Sequence, residues 1–237
     1  MRINRNWIIG ILAGGVWLGG SVMVQAGRPL VIDDADPADP GVVEVEAGVG
    51  YEKEPGCRHV EYPVGVAYGL LPGVEMGLGF GGQYERREYD VIALSPGSRH
   101  ERESGCTDLG VGLKWQFAGE TEWRPRLALA PSVTLPTADE GKGLGSGETD
   151  YDLTAIASKG LTDSVGVHVN GGYTWVGEPR YEKVENVIHF GLALDVQVAE
   201  TLQLVGEIAA ERESRGGAKT LSVATAGVRW SVVDALT

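Results

Sequence analysis

The sequence predicts an all-β fold: an antiparallel, up-and-down transmembrane β-barrel with about ten strands in this chain, or twelve in a complete protein. Residues 107–137 carry the clearest evidence, because apolar side chains there alternate with glycine, small or charged ones, which is the two-residue period of a strand. The apolar face holds Leu109, Val111, Leu113, Trp115 and Phe117 and, after a short turn, Leu127, Leu129, Val133 and Leu135. An aromatic-tipped apolar face opposite a glycine-rich polar one is typical of a membrane barrel rather than a soluble sandwich.

The same alternation recurs from residue 41 to residue 230, and long connections follow short ones in turn. We place the connections near Cys57, Arg99, Lys142, Arg180 and Arg215 at one end and the short turns at the other. Aromatic residues then fall into two belts on the apolar face, as interfacial aromatics do in such barrels. One belt has Tyr51, Tyr62, Tyr84, Tyr151, Tyr173 and Trp175; the other has Tyr68, Trp115, Phe117 and Trp230. Because no C-terminal strand ends in an aromatic residue, we expect at least one further hairpin beyond the sequence as given.

The hairpin of residues 107–137 has two further expected features. Gln116 and Arg126 should lie opposite each other if the turn is centred near Thr121. Pro131 has no N–H to donate to a ladder, so we expect a bulge or a local break in strand pairing there.

The N-terminus indicates export. Arg2 and Arg5 precede an apolar segment that ends in the small residues before position 27, so residues 1–26 read as a signal peptide rather than a retained anchor. Residues 27–40 form an acidic, proline-containing lead that we interpret as a periplasmic tether, and residues 41–237 form the barrel. The expected location is the outer membrane of a Gram-negative bacterium, with its lipids as one partner.

Charge excludes one class of partner. The formal net charge is -13, and removing Arg2 and Arg5 with the leader makes it -15. A nucleic-acid partner requires a basic surface, so none is expected.

The two cysteines, Cys57 and Cys106, fall in adjacent predicted outer loops. In an oxidising compartment a disulfide between them is the leading interpretation. A metal site that adds nearby histidines is the alternative, but flexible loops seldom give the tetrahedral convergence that zinc requires.

Motifs for catalysis and for cofactors are weak. The glycine-rich residues 141–147 lack the spacing of a phosphate loop and are predicted to be an exposed hairpin tip. His168 and His189 can face inward beside acids such as Asp195, yet a lone inward histidine is more often a hydrogen-bonded lumen residue. We therefore expect no enzyme and no cofactor.

Four segments resemble a known family. They are G-C-T-D-L-G-V-G-L-K-W from Gly105, L-A-L-A-P-S-V-T-L-P-T from Leu127, G-L-G-S-G-E-T-D-Y from Gly143 and H-V-N-G-G-Y-T-W from His168. In this order they resemble the outer-membrane transporter family labelled for the meta-pathway of phenol degradation. The resemblance implies an outer-membrane barrel related to transporters of hydrophobic compounds.

The predicted function is passive uptake of small molecules, hydrophobic or aromatic ones among them, through a channel or transporter. Acids outnumber bases on the predicted inner face, which favours cations and neutral solutes over anions. The candidate lumen and selectivity residues are Glu75, Lys114, Gln116, Arg126, Asp195, Glu207 and Arg229. Two alternatives stay open: the lumen charges pair and close a narrow barrel, or the barrel is a structural or surface-interaction protein that acts through its extracellular loops.

Overall fold

The computed structural model describes residues 32–54, 57–90, 98–178, 184–214 and 220–230, and within these the side chains of residues 52–54, 88–90, 98–100 and 230 are left out. The predicted signal peptide, residues 1–26, lies outside the described residues. The strands are β1 (Val43–Ala47), β2 (Gly50–Glu54), β3 (Cys57–Leu71), β4 (Val74–Asp90), β5 (Ser98–Cys106), β6 (Leu109–Ala118), β7 (Arg126–Leu135), β8 (Asp150–Thr162), β9 (Val165–Trp175), β10 (Val187–Ala199), β11 (Leu202–Glu213) and β12 (Thr220–Trp230). One 3₁₀ turn spans Glu140–Lys142.

All the strands form one antiparallel sheet in which neighbours in sequence are neighbours in space. Its order is β1-β3-β4-β6-β7-β8-β9-β10-β11-β12, while β2 also pairs with β3 and β5 with β4. β1 and β2 are therefore two halves of one interrupted strand that runs along β3, and β5 and β6 are two halves of another that runs along β4. The path therefore has ten positions, which confirms the predicted all-β, antiparallel, up-and-down fold of about ten strands.

The two faces of the sheet are the reverse of those in a soluble protein. On the outward face Trp115, Phe190 and Leu192 remain 50%, 57% and 44% exposed. On the inward face Glu75 and Lys114 are only 9% exposed and Glu207 only 5%. Here large apolar side chains are exposed and charged side chains are buried. This pattern is typical of a β-barrel whose outer surface meets lipid.

The described aromatic residues follow the predicted belts. Trp115 and Phe117 contact each other at 5.8 Å near the β6–β7 turn, and Tyr173 and Trp175 contact each other at 4.9 Å at the opposite end of the sheet. The side chain of Trp230 lies outside the described part.

The connections alternate as predicted, with two exceptions. At one end the turns are short: β3 and β4 are joined by Pro72 and Gly73, whose φ of 78° is the left-handed conformation that glycine tolerates best. At the other end, the long connection placed near Arg99 is mostly a hairpin, because β4 and β5 pair from Gly82 and Cys106 out to Asp90 and Ser98. The first outer connection is also a hairpin, because β2 and β3 pair up to Glu54 and Cys57. Charged strands lack an apolar face, so periodicity could not reveal these extensions.

The β6–β7 hairpin confirms one detail and corrects another. The ladder pairs Gly112 with Ser132 and Trp115 with Leu129, but skips the positions beside Pro131, which is the predicted local break. Gln116 lies opposite Ala128 rather than Arg126, because the turn is centred between Glu122 and Trp123 rather than near Thr121.

The predicted disulfide is wrong. Cys57 lies opposite Arg87 of β4 and Cys106 lies opposite Gly82, so the cysteines sit on strands either side of β4 and five residues apart along it. That is about 10 Å across the strands and about 17 Å along them, whereas a disulfide requires Cα atoms within about 7 Å. Both thiols are reduced, and Cys57 Sγ donates to Glu85 Oε1 at 3.3 Å. The same separation prevents the two cysteines from sharing a metal ion.

Among the described residues, no helix is both long and apolar enough to cross a bilayer.

Candidate functional site

Residues 32–40, which we call the lead segment, lie across the inward face of the sheet. Ile32, Ala35 and Ala38 are buried at 4%, 0% and 6% exposure. Side chains of β4, β6, β7, β8, β9 and β11 all contact this one short segment, so the sheet curls around it. The prediction of a tether outside the barrel is therefore wrong for these residues, which occupy the lumen.

The backbone of the lead segment is held by inward side chains. Glu207 Oε2 accepts from the N–H of Ile32 at 2.8 Å, Ser158 Oγ from that of Ala35 at 2.9 Å, and Glu75 Oε2 from that of Ala38 at 2.7 Å. Each acceptor sits on a different strand. An extended segment without strand neighbours needs such partners, because an unsatisfied buried N–H is costly.

Asn170 of β9 adds a two-point contact. In the amide orientation that satisfies its neighbours, its nitrogen donates to the carbonyl of Asp33 at 2.9 Å and its oxygen accepts from the N–H of Asp33 at 2.7 Å. The side chain thus replaces the neighbouring strand that this stretch of backbone lacks.

Two carboxylates of the lead segment meet the basic residues Lys114 and Arg126 on the inward face. Asp33 Oδ2 lies 2.9 Å from Lys114 Nζ, whose other close acid, Glu75, is 3.7 Å away. Asp36 accepts from Gln116 Nε2 at 3.2 Å and forms an ion pair with Arg126. Gln116 Nε2 also donates to the carbonyl of Ala35 at 3.0 Å. The acidic lead segment and these two basic residues, far apart in the sequence, are partners.

Arg126 is positioned by the β6–β7 turn. Its Nε and one terminal nitrogen donate to Glu120 Oε2 at 3.1 and 2.8 Å, which leaves the other terminal nitrogen to Asp36. Glu120 is also bound by Lys159 Nζ at 2.9 Å. The hydrogen bonds from Lys159 and Arg126 lower the pKa of Glu120 to about 2. The carboxylate of Glu120 therefore stays ionised and continues to accept hydrogen bonds from Arg126.

Two glycines give the lead segment room. At Gly69, opposite the short β3–β4 turn, a Cβ would stand 2.1 Å from the carbonyl oxygen of Asp39, and Pro40 forms a bridge to the same residue. At Gly191 of β10 a Cβ would lie 1.7 Å from Ile32 Cδ1. At Gly69 the obstructing atoms belong to the backbone, so only glycine lets the segment pass this closely; at Gly191 the obstructing atoms belong to the Ile32 side chain, which would have to turn away.

A chain of hydrogen bonds continues from Ser158 along the wall. Ser158 Oγ is 2.8 Å from His168 Nδ1, and His168 Nε2 is 2.5 Å from Asp195 Oδ1. Gln203 Nε2 donates to Asp195 Oδ2 at 2.7 Å. Serine, histidine and aspartate are the residues of a hydrolase triad, but here the serine faces Nδ1 rather than Nε2 and is buried beneath the backbone of Ala35. The chain instead fixes the hydroxyl that holds the lead segment.

A second histidine cluster lies nearer the opposite end of the lumen. His189 Nε2 is 2.8 Å from Asp152 Oδ2, and Asp152 also accepts from Thr174 and Thr154. His168 and His189 thus both face inward beside acids, as predicted.

The connection between β7 and β8 folds into the lumen from the end opposite the short turns. Leu144 is only 7% exposed, and its carbonyl accepts from Gln83 Nε2 at 2.6 Å. Asp108 Oδ1 accepts from the N–H of Ala138 at 2.8 Å. Residues 141–147 were predicted to be an exposed tip; the apolar Leu144, placed among glycines, turns the loop inward instead.

A glycine-lined wall separates these two inserts. Gly77 and Gly79 of β4 lie opposite Gly112 and Gly110 of β6, directly beyond the pair Glu75 and Lys114. A Cβ at Gly77 or Gly79 would meet no heavy atom of the described residues within 4 Å. This part of the wall is open.

The structure brings most of the predicted lumen residues together. Glu75, Lys114, Gln116, Arg126 and Glu207 all contact the lead segment. Asp195 supports it through His168, and Arg229 lies opposite Gln203, the partner of Asp195. Sequence reasoning missed Ser158 and Asn170. One signal in the sequence could have revealed that the lead segment contacts the wall: the four aspartates of the lead are complementary in charge to Lys114 and Arg126.

An outward apolar surface, a charged inner face and a segment lying against that face define a barrel-like antiparallel sheet, curled into a half-barrel around the lead segment. Residues 25–228 match the family described as "Putative MetA-pathway of phenol degradation", and the chain belongs to that family. No curated protein matches the chain.

Proposed function

We propose that the protein is an outer-membrane channel for the passive uptake of small molecules, hydrophobic or aromatic ones among them, and that the lead segment is a plug that shifts to let them pass. The observation that carries this proposal is the nature of the contacts between the plug and the wall. They are mainly hydrogen bonds and ion pairs to side chains, with one small apolar cluster of Ala35 against Ala128 and Ile156, rather than a strand ladder.

Such a plug is held firmly but can exchange its partners with water. Its apolar contribution comes from one isoleucine and two alanines, which corresponds to about 1.5–3 kcal/mol for Ile32 and less for each alanine. Each neutral hydrogen bond adds a net of about 1 kcal/mol, because water replaces it when the segment leaves. The wall behind the plug is mostly polar or small, and Ala128 and Ile156 form a small apolar cluster there, so wetting it exposes a limited apolar surface.

The family membership and the outward apolar face support an outer-membrane location. The open glycine wall between the plug and the inward loop supports a solute path. A second function is favoured by a specific observation: the lead segment and Leu144 of the β7–β8 connection both enter the interior, as expected for a closed structural or surface-interaction barrel.

Locking the plug distinguishes the two. The N–H of Ala35 lies 2.9 Å from Ser158 Oγ, so Ala35→Cys/Ser158→Cys places two thiols within reach of a disulfide. The background is Cys57→Ser/Cys106→Ser, and Ala35→Cys alone is the matched control. We expect the oxidised double variant to conduct far less in planar bilayers than the same protein after reduction. The conductance of the control should be the same under oxidising and reducing conditions.

Equal conductance in the oxidised and reduced forms would show that the plug does not gate the lumen. The absence of conductance and of liposome swelling by small sugars, in the reduced variant and the parent alike, would establish the closed barrel instead.

A further inference from the structure

We propose that the wall of β4 and β6 binds small organic acids with an apolar body, with Lys114 as the carboxylate-binding residue and the glycines beyond it as the surface for the apolar part. The inference rests on the proposed function, since it names the class of solute that this lumen takes. The carboxylate of Asp33 stands in for that of the solute.

The first support is the pairing of Lys114. Lys114 is 9% exposed, and its close partner at 2.9 Å is Asp33 of the lead segment, whereas Glu75 on the wall is 3.7 Å away. When the plug shifts, Lys114 loses its nearest anion and keeps Glu75 as its remaining close acid. The ammonium group then has donors to offer a second carboxylate, and a charge-assisted hydrogen bond favours an incoming one.

The second support is the exchange of charge. The inner face is acidic overall, which disfavours anions entering a bare lumen. A carboxylate that replaces Asp33 at Lys114 leaves the local charge unchanged. A neutral or cationic solute cannot make this replacement and leaves Lys114 with Glu75 alone.

The third support is the shape of the neighbouring wall. Gly77, Gly79, Gly110 and Gly112 form a patch that begins about 7 Å along the strands from Glu75 and Lys114. Side chains are absent from it, so a ring or short chain attached to the carboxylate can lie flat against the backbone. The lead segment itself combines carboxylates with an apolar group on this inner face. Its Ala35 packs on Ala128 and Ile156 and lies between Asp33 and Asp36 in the chain.

The test uses the full-length protein in detergent, with benzoate and its neutral analogue benzyl alcohol as probes in titration calorimetry. Asp33→Asn weakens the internal competitor, and Asp39→Asn is its matched control, since Asp39 does not contact Lys114. We expect Asp33→Asn to bind benzoate about tenfold more tightly than benzyl alcohol, and about tenfold more tightly than the Asp39→Asn control does.

Adding Lys114→Gln/Glu75→Gln to Asp33→Asn removes the charged pair together, which avoids an uncompensated buried carboxylate, and should abolish the preference for benzoate. Arg124→Gln, which removes an exposed charge in the β6–β7 turn, should preserve it. Unchanged circular dichroism and gel mobility on heating confirm that each variant is folded.

Equal binding of the two probes by Asp33→Asn, or a benzoate preference that survives Lys114→Gln/Glu75→Gln, would overturn the inference. Conductance measured on the same preparations separates this result from the proposed function. If the protein conducts but shows no preference for benzoate, the inference about organic acids is wrong and the proposed channel stands. If it prefers benzoate but does not conduct, the binding site stands and the proposed channel is wrong.

Discussion

Gly69 is the residue on which the seating of the lead segment depends most directly. Its missing side chain is what allows the carbonyl groups of Ala38 and Asp39 to approach β3, since a Cβ would stand 2.6 and 2.1 Å from their oxygens. Both contacts are to backbone, which cannot rotate away as a side chain would. A methyl group at this position must therefore move the lead segment or the strand.

We expect Gly69→Ala to expose the lead segment to a protease that cleaves before aspartate, with a rise in rate of about tenfold in the detergent-solubilised protein. Gly77→Ala is the matched control, because it adds the same methyl to the same inward wall where the described residues leave open space. Equal cleavage of the two variants would show that the lead segment is not held at Gly69.

Among the elements, the β6–β7 hairpin shows how far sequence reasoning reaches. Its strands, its two faces and the break at Pro131 followed from side-chain period and from the missing N–H of proline, which are local properties. Its register near the turn did not, because the centre of the turn and the bulge beside it depend on how the turn packs. The lead segment was likewise misplaced. An acidic, proline-containing stretch looks like a tether until its partners Lys114, Arg126 and Ser158 are brought together from three strands.

The β6–β7 turn is also a pH-sensitive element. Glu120 has a pKa lowered to about 2 through Lys159 and Arg126, and its Oε1 accepts from the N–H of Gly160 at 3.1 Å. A lowered carboxyl pKa means that the stabilisation is complete above the ordinary value near 4.5 and is lost as the pH falls towards 2.

Hydrogen exchange at Gly160, corrected for the intrinsic effect of pH, should therefore lose about two- to fivefold in protection between pH 5 and pH 2, as expected for a surface ion pair. Glu120→Gln should show the low protection at both pH values. Glu122→Gln, an exposed neighbour in the same turn, should behave as the wild type. Constant protection in wild type across this range would mean that Glu120 does not hold the turn.

For the molecule as a whole, the lead segment sets the charge of the lumen. It brings four carboxylates, Asp33, Asp34, Asp36 and Asp39, to an inner face that already holds Glu44, Glu46, Glu75, Asp195 and Glu207 against Lys114, Arg126 and Arg229. Two of the four are paired with lysine and arginine, so the segment both adds negative charge and masks positive charge. The preference for cations expected from the sequence then depends on the lead segment as much as on the wall.

Replacing all four aspartates with asparagine should therefore shift selectivity towards anions, because it removes four negative charges and unmasks Lys114 and Arg126. The measurement is the reversal potential across a planar bilayer in a potassium chloride gradient, which reports selectivity independently of how often the plug shifts. The control replaces Glu122, Asp163, Glu200 and Glu213, four exposed carboxylates away from the lead segment, with their amides, so that both variants have the same net charge. We expect the two variants to differ, because only charges close to the path act on a passing ion without the screening of bulk salt. The same reversal potential in both would show that selectivity follows the charge of the whole surface rather than that of the lumen.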